Sequence, residues 1–73
     1  MGIVHPHIRQ ELERQVLART DRRVRNLTVE LRGGRVVLRG EARSFYIKQL
    51  AQHGVRDLLP DAQLENAIVV TGE

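Results

Sequence analysis

The chain lacks cysteine and tryptophan, and Phe45 and Tyr46 are its only phenylalanine and tyrosine. The absence of cysteine excludes a disulfide framework and any thiolate metal site. No stretch approaches the ~20 apolar residues of a membrane-spanning helix. The first ten residues also lack the apolar run of a signal peptide. The expectation is therefore either a cytoplasmic chain or a domain cut from a longer exported protein, with the compartment left open.

Length and charge limit the kind of site that the chain can hold. Seventy-three residues make one small domain, which buries only about 60% of the surface of its unfolded chain and has room for shallow grooves. The formal net charge is +3, and all but one of the twelve basic residues are arginine. A positive balance permits anionic partners such as phosphate, acidic lipid or nucleic acid. The alternative is that the excess charge serves solubility and that the arginine bias reflects codon composition.

The clearest local signal is a β-hairpin from Leu27 to Ala42. Apolar and polar residues alternate on both arms, which is typical of strands with one buried face. Gly33 and Gly34 supply the positive φ angles that a two-residue type I′ turn needs. This turn sets a cross-strand register that pairs Arg32 with Arg35, Leu31 with Val36, Val29 with Leu38, and Leu27 with Gly40.

A helix and a short connection precede the hairpin. Ile8, Leu12 and Val16 recur at every fourth position, which predicts a helix over about residues 7–20 with one apolar stripe. The connection covers residues 21–26, where Val24 is the only expected anchor.

A second helix and a third strand follow the hairpin. Ser44 is a good N-cap residue, so a helix should begin just after it and end at Pro60. Gly54 lies in the middle of the apolar face of this helix, where a glycine costs about 1 kcal/mol against alanine. We expect this cost to be offset by close approach of the helix to the sheet. Alternation over residues 64–71 predicts the third strand.

This order of elements predicts an α+β fold, a two-layer αββαβ sandwich. Two helices should cover one face of a three-stranded sheet. The crossover from the second to the third strand should be right-handed and make those strands parallel, so that the sheet is mixed. We expect one domain over residues 7–71, a flexible lead-in at residues 1–6 and a tail at residues 72–73.

The spacing of the hairpin resembles a known family. Its second arm reads Gly34-x-Val36-x-Leu38-x-Gly40-x-Ala42, and its first arm alternates Leu27, Val29 and Leu31. This pattern is similar to the BON domain, the bacterial OsmY and nodulation domain. The resemblance extends over about residues 8–70. It departs from the family at Ala42, where valine is usual, and at Asp61-Ala62, where Gly-Val commonly precedes the last strand.

The resemblance implies a non-enzymatic binding module without a cofactor. Family members are found mostly in envelope proteins and are considered to bind phospholipid surfaces or other macromolecules. It therefore implies a membrane-surface role in the cell envelope or periplasm, if the chain belongs to a longer protein. The resemblance implies a structural role for the glycines on or beside the motif, namely Gly33, Gly34 and Gly40.

The start of the second helix is the candidate lipid contact. Phe45 and Tyr46 lie side by side there, next to Arg43 and Lys48. An exposed aromatic among cations is a plausible interfacial anchor, with the ring among acyl chains and the cations on headgroups. Arg56 lies on the same outward face and completes the candidate set. The alternative is that Phe45 folds over the hairpin edge and Tyr46 packs laterally.

The uncovered face of the sheet is the candidate partner surface. Val37, Ala67 and Val69 should form a small apolar patch ringed by charge, which can mark a protein–protein or oligomer interface. The alternative is a tolerated exposed sheet face. The opposed arginines at the turn either splay into solvent or are bridged by an anion. The candidate contact residues are Arg32, Arg35, Val37, Arg39 and Val69.

Other site chemistries find little support in the sequence. His5, His7 and His53 complete no metal-ligand spacing. No nucleophile, base and orienting group can be assembled, since the capping role explains Ser44. Nucleic acid is less favoured than lipid or protein, because no strand carries an exposed aromatic for stacking and there is no GxxG loop.

Overall fold

A computed structural model describes residues 7–72, so the proposed lead-in at residues 1–6 lies outside the described residues, as does Glu73. The elements follow in the predicted order, which confirms the αββαβ fold class. They are α1 (Ile8–Arg19), β1 (Val24–Arg32), β2 (Arg35–Ala42), α2 (Phe45–Leu58) and β3 (Gln63–Val70).

The three strands form one mixed sheet in the order β1-β2-β3. Strand β2 pairs antiparallel with β1 and parallel with β3, as the crossover argument predicts. All five elements contribute to one apolar core. Burying a side chain of this kind stabilises a fold by roughly 1.5–3 kcal/mol for the larger residues. The core residues are Leu12, Val16, Val24, Val29, Val36, Leu38, Ala42, Ile47, Ala51, Val55 and Ile68.

The hairpin turn forms as predicted, but the far end of the hairpin does not. Gly33 and Gly34 have φ angles of +50° and +85°, and the register matches the prediction from Arg32–Arg35 back to Val29–Leu38. The predicted pairing of Leu27 with Gly40 is wrong, because a β-bulge shifts the register between Arg25 and Thr28.

The bulge fits against Gly40 and lengthens β1. It leaves Asn26 and Leu27 opposite the single residue Gly40, and Asn26 takes a left-handed φ of +56°. A Cβ on Gly40 would lie 2.9 Å from the Arg25 carbonyl oxygen. Beyond the bulge, Val24 pairs with Ala42, so residues 24–26 belong to the strand rather than to the predicted connection.

A Schellman motif ends α1 and leads the chain into β1. The Arg22 amide donates to the Leu17 carbonyl at 2.7 Å, and the Asp21 amide donates to the Ala18 carbonyl at 3.2 Å. Asp21 takes the left-handed conformation, with φ +56°, that this motif requires. The hydroxyl of buried Thr20 donates to the Val16 carbonyl at 2.8 Å. These bonds fix the direction in which residues 21–25 leave the helix.

Helix α2 begins as predicted, while its glycine has a different neighbour from the expected one. The Ser44 hydroxyl oxygen accepts from the Ile47 amide at 3.1 Å, which confirms the N-cap. Gly54 approaches α1 instead of the sheet, since a Cβ there would lie 3.0 Å from Val16 Cα and 3.2 Å from the Gln15 carbonyl oxygen. The glycine therefore permits close packing between the two helices.

Candidate functional site

Both aromatic side chains at the start of α2 are exposed. They occupy the first two helical positions after the Ser44 cap, and Phe45 is 61% exposed and Tyr46 66% exposed. The next residue, Ile47, turns into the core instead. These exposures favour the interfacial-anchor hypothesis over the alternative in which Phe45 folds over the hairpin edge and Tyr46 packs laterally. Adjacent exposed aromatic rings offer a large apolar area to a partner, and the tyrosine hydroxyl adds a polar group at its edge.

Cations accompany this aromatic pair, but not all the predicted ones do. Lys48 places its Nζ 6.0 Å from the centre of the Phe45 ring, within cation–π range. Arg43 is exposed just before the cap. Arg56 lies eleven residues further along the helix, about 16 Å at 1.5 Å per residue. It donates to the Ala62 carbonyl at 2.7 Å and thus secures the loop after α2.

A cleft beside the aromatic pair gathers arginines that the sequence interpretation missed. Its volume is about 370 Å³, and its lining residues are Arg22, Arg23, Arg25, Arg43, Ser44, Tyr46 and Ile47. We call this feature the arginine cleft. It forms because Val24 pairs with Ala42 in the antiparallel hairpin, so that Arg23 and Arg43, which flank this pair, come together.

The arginine cleft holds excess positive charge. Arg23 lies 3.9 Å from the Asp21 carboxylate, and both side chains are largely exposed. In the part of the chain that the structure describes, Arg22, Arg25 and Arg43 form no ion pair. The signal in the sequence was the run Asp21-Arg22-Arg23-Val24-Arg25. These arginines reach Arg43 only because the strand pairing continues past the bulge to Val24 and Ala42.

The open face of the sheet differs from its expected form. Val37 is only 4% exposed, so the prediction that it belongs to an exposed apolar patch is wrong. Its neighbours across the two ladders are Glu30 and Glu65. Arg39 reaches Glu30 at 3.6 Å and Arg35 reaches Glu65 at 3.6 Å. These ion pairs flank Val37 on both sides and cover it.

Charges on this face are compensated within the protein. Arg32 and Arg35 are paired across the turn, as predicted, but they approach different carboxylates, Glu30 at 3.9 Å and Glu65 at 3.6 Å. Of the expected apolar patch, Val69 is 59% exposed and Ala67 is half-buried. This face is therefore a charge-paired surface with one exposed valine near the end of β3.

The described residues contain no assembled metal centre and no candidate membrane span. Among residues 7–72, no group of three or more histidine, aspartate or glutamate residues is placed to hold a metal ion. No helix in the same range is long and apolar enough to cross a membrane. His5, one of the three histidines considered, lies outside this range.

The elements described above make up a small α+β domain. The chain belongs to the BON domain family, whose family model matches residues 6–72, and this confirms the resemblance. Domains of this family are non-catalytic binding domains. The comparisons with curated proteins and with solved structures returned no match.

Proposed function

We propose that this domain binds anionic phospholipid surfaces through the first turn of α2. The observation that carries the proposal is the exposure of Phe45 and Tyr46 side by side, with Arg43 before them and Lys48 one turn later. The resemblance to the BON family, whose members are found mostly in envelope proteins, supports the choice of a lipid partner at the cell envelope.

The chemistry of this turn suits the boundary between headgroups and acyl chains. The Phe45 ring supplies apolar area, and Tyr46 combines an apolar ring with a hydroxyl that stays among the headgroups. Each nearby Lys or Arg contributes about 1 kcal/mol at an anionic surface. Two rings and two cations give weak, reversible attachment. Added salt should reduce it, because screening acts over about 10 Å at 0.1 M ionic strength.

A vesicle sedimentation assay tests this proposal. The domain should sediment with vesicles containing phosphatidylglycerol and remain in solution with purely zwitterionic vesicles. Phe45→Ala and Tyr46→Ala should each reduce the bound fraction several-fold, since each removes apolar area that inserts. Val69→Ala is the matched control, because it removes an exposed apolar side chain from the uncovered face of the sheet, opposite the helices. Equal binding by all these variants would contradict the proposal.

A protein–protein or oligomerisation role is the second candidate. It is supported by β3, which is an edge strand of the sheet and carries exposed Val69 and Val70. The free edge of such a strand can pair with another chain. Val69→Glu should abolish concentration-dependent dimerisation in sedimentation velocity if this role is real. A substitution at Val37 is unsuitable for this test, because its side chain is buried.

Nucleic acid is a competing class of partner, and an RNA-binding assay with the same purified domain tests it. The arginines make some attraction to RNA expected at low salt. Binding to single-stranded RNA that falls steeply with salt, together with no binding to anionic vesicles, would replace the lipid proposal.

A further inference from the structure

We infer that the arginine cleft is a binding site for a doubly charged phosphoryl group, carried by a lipid headgroup or by a soluble phosphate ester. The lipid form of this inference rests on the proposed function, while the soluble form stands without it. Arg43 and Tyr46 belong to both surfaces, whereas Arg22, Arg23 and Arg25 belong to the cleft alone.

The size of the cleft suits a phosphoryl group with part of its carrier. Its volume of about 370 Å³ lies in the range of small-ligand pockets. Buried Ile47 and the Tyr46 ring give it an apolar wall, and the arginines give it a cationic rim. A bare phosphate would leave part of this space unfilled, so an ester with a short organic group fits the lining better.

The charge arrangement points to an anion of more than one charge. On the open sheet face, Arg32, Arg35 and Arg39 each lie near a carboxylate of the protein. At the cleft, by contrast, Arg22, Arg25 and Arg43 form no ion pair with a carboxylate among residues 7–72, and Glu41 lies opposite Arg25 in the strand ladder without reaching ion-pair distance. Like charges held together are mutually repulsive, and a dianion removes that repulsion.

The backbone holds these arginines in place before any ligand arrives. Arg22 has a φ of +59°, a left-handed conformation that arginine seldom adopts. The hydrogen bond that its backbone amide donates to the Leu17 carbonyl, at 2.7 Å, keeps it in this conformation. Arg25 is fixed by its ladder pairing with Glu41, and Arg43 follows the strand end at Ala42. The guanidinium groups thus start from fixed backbone positions, which lowers the entropy cost of binding.

Arginine chemistry fits a phosphate monoester. The guanidinium presents a planar fork of donors that matches two oxygens of one phosphoryl group. The Tyr46 hydroxyl adds a donor at the edge of the cleft. A monoester offers three free oxygens and about two charges at neutral pH, whereas a phosphodiester offers two oxygens and one charge. The cleft should therefore prefer monoesters.

Titration with inorganic phosphate and with glycerol 3-phosphate tests the site directly. Amide ¹H–¹⁵N shifts should move at Arg25, Arg43 and Tyr46, and more for glycerol 3-phosphate. Arg22→Gln and Arg25→Gln should each weaken binding by about tenfold, the usual cost of a charged hydrogen bond. The matched control is Arg9→Gln, which removes the same charge from the exposed surface of α1. Thermal unfolding identifies any variant that fails to fold, and two separate cleft variants keep the test decisive.

Vesicles separate the two sources of the phosphoryl group. Phosphatidic acid carries a monoester and phosphatidylglycerol a diester, so both are compared at matched surface charge. The parent protein should bind phosphatidic acid vesicles better than phosphatidylglycerol vesicles. If Arg25→Gln loses this preference while Arg9→Gln keeps it, the phosphoryl group comes from a lipid. Binding of glycerol 3-phosphate without binding to any vesicle supports a soluble source and overturns the proposed lipid function.

The remaining outcomes overturn the cleft site. If neither soluble phosphate causes shifts, and vesicles bind the Arg25→Gln and Arg9→Gln variants equally, the cleft site is refuted while the aromatic contact at α2 stands. An equal loss of phosphate binding in both variants would also refute it, because net charge alone would then explain the attraction.

Discussion

Arg19 and Asp57 form a two-point ion pair that joins α1 to α2. Arg19 Nε lies 2.7 Å from Asp57 Oδ2, and Arg19 Nη2 lies 2.9 Å from Asp57 Oδ1. Gln15 adds a third hydrogen bond to the same carboxylate at 3.0 Å. The hydrogen bond from Arg19, followed by that from Gln15, lowers the pKa of Asp57 below its usual value. The same bond raises the pKa of Arg19.

The first prediction concerns stability in acid. Because the pKa of Asp57 is lower in the folded protein than in the unfolded chain, the carboxylate stabilises the fold above the unfolded pKa of about 4. This contribution is lost as the pH falls through the lowered pKa of the folded state. The melting temperature of Asp57→Asn should therefore fall less than that of the parent protein when the pH is lowered from about 6 to about 2. Asp61→Asn, at a position without an ion pair among residues 7–72, should keep the parental slope. A parental slope in Asp57→Asn would contradict the account.

The second prediction concerns the contact between the helices. Alanine at position 54 gains up to about 1 kcal/mol of helix propensity. Its Cβ, however, would lie 3.0 Å from Val16 Cα and 3.2 Å from the Gln15 carbonyl oxygen, and these backbone atoms cannot rotate away. Overpacking costs about 1–3 kcal/mol, so Gly54→Ala should lower the free energy of unfolding in urea. Gln49→Ala, on the exposed side of α2, should change it by less than about 0.5 kcal/mol. A stabilised Gly54→Ala variant would refute the close contact.

The third prediction separates two glycines of the hairpin. Gly40 has a φ of +154° and lies against the β1 bulge, so Gly40→Ala should cost about 1–3 kcal/mol of stability. Gly33 has a φ of +50° with nothing within 4 Å of a Cβ, and asparagine tolerates that conformation. Gly33→Asn should therefore change stability little. Similar losses for the two variants, measured by urea unfolding, would show that the bulge contact is absent.

The fourth prediction concerns the end of α1. Asp21 takes a left-handed conformation that costs most L-residues about 1–2 kcal/mol and glycine almost nothing. Asp21→Gly should therefore raise the melting temperature, while Asp21→Ala should lower it. Equal melting temperatures for the two variants would show that the left-handed conformation at position 21 does not affect the stability of the folded protein.

Features that depend on residues close together in the sequence were predictable. The Gly33-Gly34 turn, the Ser44 cap and the third strand follow from local patterns, and the parallel pairing of β2 with β3 follows from crossover handedness. The exposure of Phe45 and Tyr46 also agrees with the hypothesis of a helix-start contact, although their partner is still a proposal.

Features that depend on distant neighbours were not predictable. Alternation places Val37 on the outer face correctly, but its burial depends on ion pairs formed by residues of three strands. The neighbour of Gly54 depends on how α1 packs, which its own sequence does not encode. The bulge at Asn26 adds one residue that the alternating pattern does not reveal. The arginine cleft depends on this bulge, so it was missed as well.

A single engineered tryptophan tests the lipid contact most directly. The chain has no tryptophan, so Phe45→Trp carries the only indole and its emission reports the surroundings of position 45. The account predicts a blue shift on adding phosphatidylglycerol vesicles, no shift with zwitterionic vesicles, and no shift for Val69→Trp with either. Unchanged Phe45→Trp emission at vesicle concentrations that sediment the protein would contradict the account, as would an equal shift at position 69.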